Sequence, residues 1–566
     1  MNDQQEPARG RHDGTRASEG AALPLLVAPS LSALLRDHLA PEFQDILANH
    51  IRRCRWFRGK ARQIRGVQVL DRIPLRETLD AIDLVVVRIS YMGAEVPEIY
   101  VLPMASRPGA TDTPLPDADA PLFNLRPPDG GPLSVVYDPS SAPELPDVLL
   151  DTFLRPLTLG DRGRLRANPT EAFASRLAPG QPRPAAQVSK GEQSNTTMFF
   201  GREFMLKLFR QMEAGENPDV EITEFLWRRG YRHVPEPLGT LSYEGPGFAA
   251  TLGLAQRFVP SEGTAWDVTV GLLERSCEHV RSAGTFRSLP PESEGDVLDA
   301  SSDRVPPAIQ PLIEPYAELA TLLGVRTAEL HVALASDPSS PGFAPEPFTS
   351  VDVAAMVGAA RDRVGGAFVL LSNQLATLPD HLQTLARKAL AYRSVIEGHL
   401  DALESTEVHA RKIRCHGDYH LGQVLYGAGA VTILDFEGEP AQTLEVRRRK
   451  RSALYDVCGM IRSFHYAATV ARQGEGARQD DPRALQSWTE AWYHWTSARF
   501  LRAYLDATRD HPGGAAFVPS STDELLMLIR LHLIEKCSYE LSYELNNRPA
   551  WVGVPIAGLV SLAQGR

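Results

Sequence analysis

The chain contains the run His416-Gly-Asp-Tyr-His-Leu-Gly-Gln-Val-Leu425, which is followed after a glycine-bearing turn by Val431-Thr-Ile-Leu-Asp-Phe-Glu-Gly-Glu439. Apolar residues alternate on both sides of the turn, as they do in a β-hairpin. Because a hairpin brings its open ends together, we expect Asp418, Gln423 and Asp435 to converge. The two segments therefore predict a site made of two carboxylates and an amide.

This set of groups meets the needs of phosphoryl transfer. A carboxylate accepts the proton of the attacking hydroxyl, and other oxygen ligands hold the magnesium that bridges the nucleotide phosphates. Kinase-like proteins place a metal-binding amide about five residues after the catalytic aspartate and a metal-binding aspartate after the next hairpin. The spacing predicts Asp418 as the catalytic base and Gln423 and Asp435 as magnesium ligands, with Gln in place of the usual Asn.

The alternative interpretation is that these residues do not form a kinase active site. An Asp-Phe-Glu sequence after an apolar run is often only the end of a strand. His416 and His420, which flank Asp418, are also compatible with a metal cluster or with ordinary loop histidines. The rest of the chain favours the kinase interpretation.

Residues upstream predict a nucleotide-binding lobe. The segments 187–200 and 203–209 have the pattern strand, polar loop, strand, turn and strand. The loop supplies Ser194, Asn195 and Thr196, whose hydroxyls and backbone N–H groups are expected to bind ATP phosphates. The sequence has no Gly-x4-Gly-Lys-Ser/Thr motif, so this is not a P-loop of the Walker type.

The third of these strands carries Lys207 among apolar residues, where an unpaired ammonium is costly to bury. Glu221, at the start of a predicted helix, is its expected partner, since a lysine–glutamate pair positions the α- and β-phosphates of ATP in kinases. Glu224 is a competing partner. The alternative is a lysine that extends to solvent beside a solvated glutamate.

The following strand, within residues 248–260, ends at a proline-bounded connection. In a kinase this position would bind adenine through backbone groups, and such recognition leaves little trace in side chains. We therefore predict ATP contacts from the backbone of Gln256, Phe258 and Val259.

These motifs resemble those of bacterial maltokinases, including maltokinases fused to trehalose synthases. The resemblance implies an α+β fold: a bilobal, protein-kinase-like fold of the aminoglycoside phosphotransferase type, with an N-terminal α/β cap and a mostly helical C-lobe. It also implies ATP and Mg2+ as cofactors and transfer to the anomeric hydroxyl of maltose, which gives maltose 1-phosphate for α-glucan or glycogen synthesis. The resembling segments are Arg55-Trp-Phe-Arg-Gly-Lys-Ala61, Glu192-Gln-Ser-Asn-Thr196, Thr327-Ala-Glu-Leu-His331, Phe343-Ala-Pro-Glu-Pro-Phe348, 416–425, 435–440 and 445–464.

The same resemblance points to a sugar site. Lys536, Tyr539 and Tyr543 are spaced by three and four residues, so one face of a helix presents an ammonium and two phenols. Tyrosine rings stack on sugar faces, and their hydroxyls and a lysine donate to sugar oxygens. A core stripe of tyrosines beside an extended lysine is the alternative. His416 is included in the sugar site, although it is equally suited to orient the catalytic loop through a backbone carbonyl.

We predict four parts of the chain: a disordered tail over residues 1–28, an N-terminal cap over 29–170, a nucleotide-binding lobe over 171–262 and a helical C-lobe over 263–566. Composition agrees with a globular enzyme of 566 residues with net charge -11. Nucleic acid is an improbable partner at that charge, even though residues 447–451 are all basic. Five scattered cysteines and the lack of a signal peptide or membrane span predict a cytoplasmic protein.

Two rival functions stay open. A kinase of another sugar or amino sugar, such as glucosamine or an aminoglycoside, would share the nucleotide machinery and differ in the sugar pocket. A cationic substrate should meet several carboxylates there, whereas Lys536 with two tyrosines suits a neutral sugar better. A non-catalytic partner of trehalose synthase would keep the fold without turnover. The sequence leaves the oligomeric state undetermined.

Overall fold

The computed structural model of the chain divides into two compact units. The first comprises Met1–Gly201, Met205–Gly215 and Gly239–Ala255, and the second comprises Arg202–Phe204, Glu216–Leu238 and Gln256–Arg566. The described residues are 23–36, 41–60, 62–78, 80–93, 96–109, 121–155, 157–189, 194–282, 295–472, 482–511 and 513–565.

Among the described residues, the first unit contains most of two seven-stranded sheets and four α-helices. One sheet has the order β1-β5-β6-β4-β3-β2, with β12 paired to β4, and the other has the order β7-β8-β13-β14-β11-β10-β9. The strands are β1 (Leu25–Val27), β2 (Ile64–Arg76), β3 (Ala81–Tyr91), β4 (Glu98–Pro108), β5 (Pro121–Arg126), β6 (Ser134–Tyr137), β7 (Leu157–Leu159), β8 (Arg164–Pro169), β9 (Ala186–Val188), β10 (Thr196–Phe200), β11 (Phe204–Leu208), β12 (Gln211–Met212), β13 (Pro237–Gly245) and β14 (Phe248–Arg257); the helices are α1 (Leu31–Arg36), α2 (Pro41–Arg53), α3 (Glu144–Thr152) and α4 (Glu171–Leu177).

Several boundaries differ from the prediction. Residues 1–22 of the predicted tail lie outside the described residues, but Leu25–Val27 pair with β5 in parallel, so the folded chain begins before residue 29. Two helices follow β1, and Pro41 starts the second of them, α2, because it lacks the N–H needed inside a helix.

The segment 103–146 is rich in proline, yet it contains the end of β4 and all of β5 and β6. Pro103 pairs with Leu84 of β3. On the side of β4 away from β3, β12 pairs with residues 99–100 of β4, and β6 pairs with β4 from residue 105 onward. Pro103 therefore faces a gap in the pairing, where the missing N–H costs no ladder hydrogen bond.

A buried polar network connects α2, the loop after β6 and the start of β10. Arg210 is fully buried, and its Nε donates to Thr196 Oγ1 at 2.8 Å. Another of its nitrogens donates to the hydroxyl of Ser140, which in turn donates to Asp138. Asp138 Oδ2 lies 3.0 Å from His50 Nε2. Each polar group is thus satisfied inside the first unit, as burial requires.

The second unit is mostly helical. Aromatic side chains such as Trp488, Trp492 and Phe464 are fully buried in its core. The helices are α5 (Pro218–Arg228), α6 (Ala265–Ser282), α7 (Val297–Ser302), α8 (Gln310–Leu334), α9 (Ser350–Gln374), α10 (Asp380–Ala391), α11 (Arg393–Glu404), α12 (Leu444–Arg447), α13 (Leu454–Ala471), α14 (Pro482–Asp510), α15 (Thr522–Asn547) and α16 (Gly553–Ala563), and the strands are β15 (Gly263–Thr264), β16 (Glu346–Pro347), β17 (Arg411–Lys412), β18 (Val424–Gly427) and β19 (Ala430–Ile433).

Local signals explain where the helices of the second unit begin. Asn217 caps α5 by accepting from the amide of Asp219, and Pro218 occupies the first turn. Helices α10 and α11 follow each other directly and are divided at Tyr392. Across the described residues, none of the helices combines the length and apolar character needed to span a membrane.

The His50–Asp138 pair predicts a pH dependence of stability. Burial alone would lower the pKa of His50, but its contacts with Asp138 and Cys54 outweigh that and raise the pKa from 6.5 to about 9. A raised histidine pKa stabilises the fold fully below the unfolded value, and that stabilisation is lost as pH rises through the folded value.

The quantity to compare is the difference between the free energy of unfolding of the wild type and that of His50→Gln. We expect this difference to fall by about 2 kcal/mol between about pH 6 and about pH 10. Denaturant titrations at each pH measure this difference. The same subtraction with His279→Gln, at an exposed site, should stay flat. A flat profile for His50→Gln as well would contradict the assignment.

Candidate active site

The predicted hairpin is present in the second unit. β18 and β19 pair in antiparallel register, with Val424 opposite Ile433. Ala428 and Gly429 both have positive φ, 51° and 72°, as a two-residue type I′ turn requires. The pairing continues one step further, since Leu434 N donates to Gln423 O at 2.8 Å. The two predicted metal ligands therefore meet where the hairpin opens.

Gln423 and Asp435 converge as predicted. Gln423 Nε2 lies 3.1 Å from Asp435 Oδ2. Asp435 has φ 64°, in the left-handed region that non-glycine residues rarely occupy. Such strain at a polar residue is typical of a functional site.

Two further carboxylates lie beside Asp435 that the sequence did not indicate. Oxygen atoms of Asp219, Asp435 and Glu437 all lie within 4.8 Å of one another. Asp219 is buried at the start of α5 and accepts from the amide of Phe436 at 2.9 Å. Carboxylate and amide oxygens at this spacing fit a hard divalent cation such as Mg2+. A buried acid in the first turn of a helix was the only sequence signal for Asp219.

A buried carboxylate holds the catalytic loop. Asp456 of α13 accepts from the amides of His416 at 2.7 Å and Gly417 at 2.9 Å. His331 Nε2 lies 3.1 Å from the same carboxylate, and its Nδ1 lies 3.0 Å from the hydroxyl of Tyr504. Burial would raise the pKa of Asp456, but the contact with His331, together with the nearby loop, lowers it to about 2. The loop is thus fixed by an ionised group.

His416 orients the loop. Its Nε2 lies 2.9 Å from Leu434 O, and its Nδ1 accepts from the amide of Asp418 at 3.4 Å. The residue is 1 % exposed, and both ring nitrogens contact backbone groups. These contacts fit the loop-orienting role, and a role of His416 in sugar binding stays a prediction. Within the described chain, no group of potential metal ligands includes His416 or His420.

A glycine lets α13 approach the loop. A Cβ on Gly459 would lie 2.4 Å from Tyr419 O and 3.4 Å from Lys536 Nζ. Gly459 therefore lies between the catalytic loop and α15. Burial lowers the pKa of His420, the charge of Lys536 lowers it further and that of Asp418 opposes this. Lys536 and Asp418 thus both lie within electrostatic reach of His420.

The predicted sugar-binding residues lie on α15. Lys536 is 8 % exposed, and its ammonium lies 3.9 Å from the centre of the Tyr455 ring. The rings of Tyr539 and Tyr543 are nearly parallel with centres 6.4 Å apart, and Tyr543 is 43 % exposed. Burial and the charges of Glu439 and Asp418 raise the pKa of Tyr539 to about 12. The face therefore extends from the catalytic loop toward solvent.

Charged residues that the sequence did not single out surround this face. Glu439 accepts from the hydroxyl of Tyr455 and lies 3.8 Å from Arg363. Arg363 of α9 also lies 3.7 Å from Glu535 of α15. These residues are far apart in the sequence and share no motif, so no sequence pattern indicated that they lie close together.

Glu221 has different partners from the predicted one. Its carboxylate accepts from Arg414 and Arg448, each at 2.6 Å. Both are arginines of the second unit, and Arg414 is buried. The pairing of Glu221 with Lys207 therefore finds no support in these contacts and stays a prediction.

The basic run 447–451 is used inside the protein. Arg447 Nη1 donates to Glu437 O at 2.9 Å, beside the predicted metal ligands. The guanidinium of Arg451 lies 4.5 Å from the centre of the Tyr455 ring. These two are the members of the run that face the site.

The predicted phosphate-binding residues lie in or beside β10 and β11 of the first unit. Ser194 and Asn195 immediately precede β10, and Thr196 begins it, with its hydroxyl engaged by Arg210. Lys207 of β11 is 8 % exposed among apolar neighbours, as its flanking residues indicated. Phosphate binding by this group, and its meeting with Asp418 across one cleft, stay predictions.

The expected adenine segment lies at the end of β14. Gln256 is buried within the strand, and Phe258 N donates to Glu203 O at 3.0 Å. That amide is therefore engaged within the protein, which leaves the carbonyls and the Val259 amide as the backbone groups for adenine. Adenine binding here stays a prediction.

Fold and site together define a kinase-like phosphotransferase. Residues 50–122 match the model of the maltokinase N-terminal cap domain. The glucosamine kinase of Mycolicibacterium smegmatis is 26 % identical over 390 residues, which cover 67 % of this chain and 81 % of that protein. The glucosamine kinase of Streptacidiphilus jiangxiensis is 26 % identical over 380 residues, which cover 66 % and 73 %.

Solved structures of glucosamine kinases share the fold. One, in complex with glucosamine, ADP and inorganic phosphate, has a TM-score of 0.55 at 19 % identity and covers 93 % of this chain and 100 % of that chain. Another crystal form has a TM-score of 0.57 at 20 % identity, with coverage of 89 % and 95 %. The chain is thus a phosphotransferase with a hydroxyl group as acceptor and a protein-kinase-like α+β fold, and its residues 50–122 are similar to the maltokinase cap.

The close approach at Gly459 predicts a sensitive position. In Gly459→Ala the new methyl would press on Tyr419 O and displace the catalytic loop, and we expect kcat to fall about 100-fold, as for a misplacement of about 1 Å. Gly398→Ala is the matched control, because its Cβ meets nothing within 4 Å. That variant should keep its kcat and gain about 0.5–1 kcal/mol of stability. Equal kcat values in the two variants would contradict the role of Gly459.

Proposed function

We propose that the protein is an ATP-dependent sugar kinase that phosphorylates maltose at its anomeric hydroxyl and releases maltose 1-phosphate. The observation that carries the proposal is the placement of Asp418, the Gln423–Asp435 pair and the aromatic face of α15 within one compact unit. The glucosamine kinase relatives support a sugar as the acceptor.

Asp418 is the general base in this proposal. Its backbone is held through His416, and the preceding amides are held by Asp456, so its carboxylate keeps a fixed position beside the α15 face. Asp418 accepts the proton of the sugar hydroxyl as that oxygen attacks the γ-phosphate. Placement of the acceptor then supplies most of the rate enhancement.

Nucleotide and metal complete the site. The cluster of Asp219, Asp435 and Glu437, with the Gln423 amide, would hold Mg2+, which when bound neutralises charge on the ATP phosphates. Lys207 and residues 194–196 are proposed to bind the phosphates, with Gln256, Phe258 and Val259 at adenine. A solved relative holds ADP, which supports ATP as the donor.

The length of the aromatic face favours a disaccharide. Tyr539 lies within reach of the Asp418 charge, whereas Tyr543 lies one helical turn further out and is 43 % exposed. A monosaccharide at the catalytic residue would cover the first ring only, and a second sugar ring would stack on the outer tyrosine. This supports maltose.

Glucosamine is the second candidate. The curated relatives are glucosamine kinases, and Glu439 and Glu535 lie close to Tyr539 and Lys536. Carboxylates at a substrate site favour a cationic ligand. Both carboxylates have Arg363 as a neighbour, which reduces that preference.

The proposal also includes the use of the product, the cellular compartment and a protein partner. We infer that the product serves α-glucan synthesis, that the protein works in the cytoplasm and that it forms a complex with trehalose synthase. The five cysteines are free, four of them buried, which supports a reducing compartment.

Loss of the base tests the chemistry. We expect Asp418→Asn to fold normally and to lose about 10²- to 10⁴-fold in kcat, because the amide cannot accept the proton. Coupled ADP-release assays and thermal unfolding measure both properties. Wild-type turnover in this variant would remove Asp418 from its role, and ADP binding by the wild type without turnover on any sugar would support a non-catalytic partner.

Removal of the outer ring tests the substrate. Wild type and Tyr543→Ala are assayed with ATP and maltose, trehalose, glucose, glucosamine and an aminoglycoside, and products are identified by phosphorus NMR. We expect maltose to be the preferred wild-type substrate and Tyr543→Ala to raise KM for maltose about tenfold, with little change for glucose. A wild type that prefers glucosamine, with Tyr543→Ala without effect, would favour the second candidate.

A further inference from the structure

We propose that Arg363 is a specificity-determining residue that keeps the sugar site electrically neutral and so selects neutral sugars against amino sugars. The proposal rests on the proposed function and deepens it, because it names the charge class of the substrate. It assigns a role to a residue of α9 that no sequence motif includes.

Arg363 lies at the centre of the charged groups around the α15 face. Its guanidinium carbon lies 5.6 Å from the centre of the Tyr539 ring. On one side Nη2 lies 3.8 Å from Glu439 Oε2, and on the other Nε lies 3.7 Å from Glu535 Oε1. One guanidinium therefore faces both carboxylates and the ring that is expected to bind the sugar.

The donors of Arg363 are not consumed by these carboxylates. Both distances exceed those of charge-assisted hydrogen bonds, which are about 2.7–2.9 Å. Nη1 is buried and has no hydrogen-bond partner among the described residues. A structural ion pair would instead be bidentate and short. The guanidinium is therefore only loosely engaged by protein groups, and its side chain is 25 % exposed.

One of the two carboxylates beside Arg363, that of Glu535, is held in its ionised form. Burial would raise the pKa of Glu535, but the contact with His532 and the charges of Arg363 and Arg451 outweigh it and lower the pKa to about 2. Glu439 accepts from the hydroxyl of Tyr455 through its other carboxylate oxygen. Removal of Arg363 would therefore take away a positive charge that lies between these two side chains.

Charges of both signs lie along the α15 face. Asp418, Glu439 and Arg363 act on Tyr539, and Glu535 lies near Arg363 and Arg451. Lys536 lies over the Tyr455 ring of the same face. An ammonium group would meet Arg363 and Lys536 as like charges, which disfavours an amino sugar relative to a neutral one.

Glucose and glucosamine form a matched substrate pair, since they differ only in a hydroxyl replaced by an ammonium. We expect Arg363→Met to raise the ratio of kcat/KM for glucosamine to that for glucose at least about tenfold, while kcat/KM for maltose falls. Arg363→Lys retains the charge and should keep the wild-type ratio. Arg363→Met combined with Glu535→Gln restores neutrality and should bring the ratio back toward the wild-type value.

Arg361→Met is the control. Arg361 lies two residues earlier on the same helix and pairs with Asp401 and Glu404 on the exposed side. Its removal should leave the ratio unchanged. If Arg363→Met does not fold, Arg363→Gln removes the charge with a polar side chain of similar length and gives the same comparison.

Each outcome decides the proposal. An unchanged ratio in Arg363→Met, or an equal loss on all sugars, would assign Arg363 a purely structural role and overturn it. A wild type that prefers glucosamine over glucose would overturn it as well. If the wild type prefers another neutral sugar to maltose and the ratio still shifts, only the maltose assignment fails and the role of Arg363 stands.

Discussion

The proposed catalytic centre depends on one buried carboxylate, Asp456. It is fully buried on α13 and accepts hydrogen bonds from two backbone amides of the loop that carries Asp418. Hydrogen bonds to a charged acceptor each contribute about 1.5–3 kcal/mol, so a loop without regular secondary structure gains a fixed conformation. His331 supplies the third contact that makes an ionised group tolerable in the core. Loss of any of these contacts would leave the buried charge with less compensation.

The same rule governs the rest of the second unit. Glu221 is held by two arginines, and the basic run beside the site is divided between backbone carbonyls, carboxylates and an aromatic ring. Buried charges are costly singly but tolerable in networks in which every member has a partner. Where many charges lie near a binding site, substitution of one residue can therefore change the net charge that a ligand meets, as proposed for Arg363.

The parts of the site that the sequence predicted lie close together in the chain. The hairpin that joins Gln423 and Asp435 follows from alternation and a glycine turn, and the face of α15 follows from helical spacing. Asp219, Asp456 and Arg363 were missed because they reach the site only through tertiary packing, which periodicity does not report. Glu221 shows a related limit. The sequence correctly predicted that Glu221 lies at the start of a helix, α5. Its partners come from distant segments and could not be inferred from charge alone.

Burial separates two kinds of group in the site. The groups that hold the loop, His331, His416 and Asp456, are each 1 % exposed or less, whereas the outer tyrosine of the sugar face is 43 % exposed. Changes among the buried groups should affect every substrate alike, because they would move the proposed base and the proposed metal ligands. Changes on the α9 and α15 face should alter only the contacts made with the substrate. A change of substrate on this fold therefore needs no change in the loop or in its buried supports.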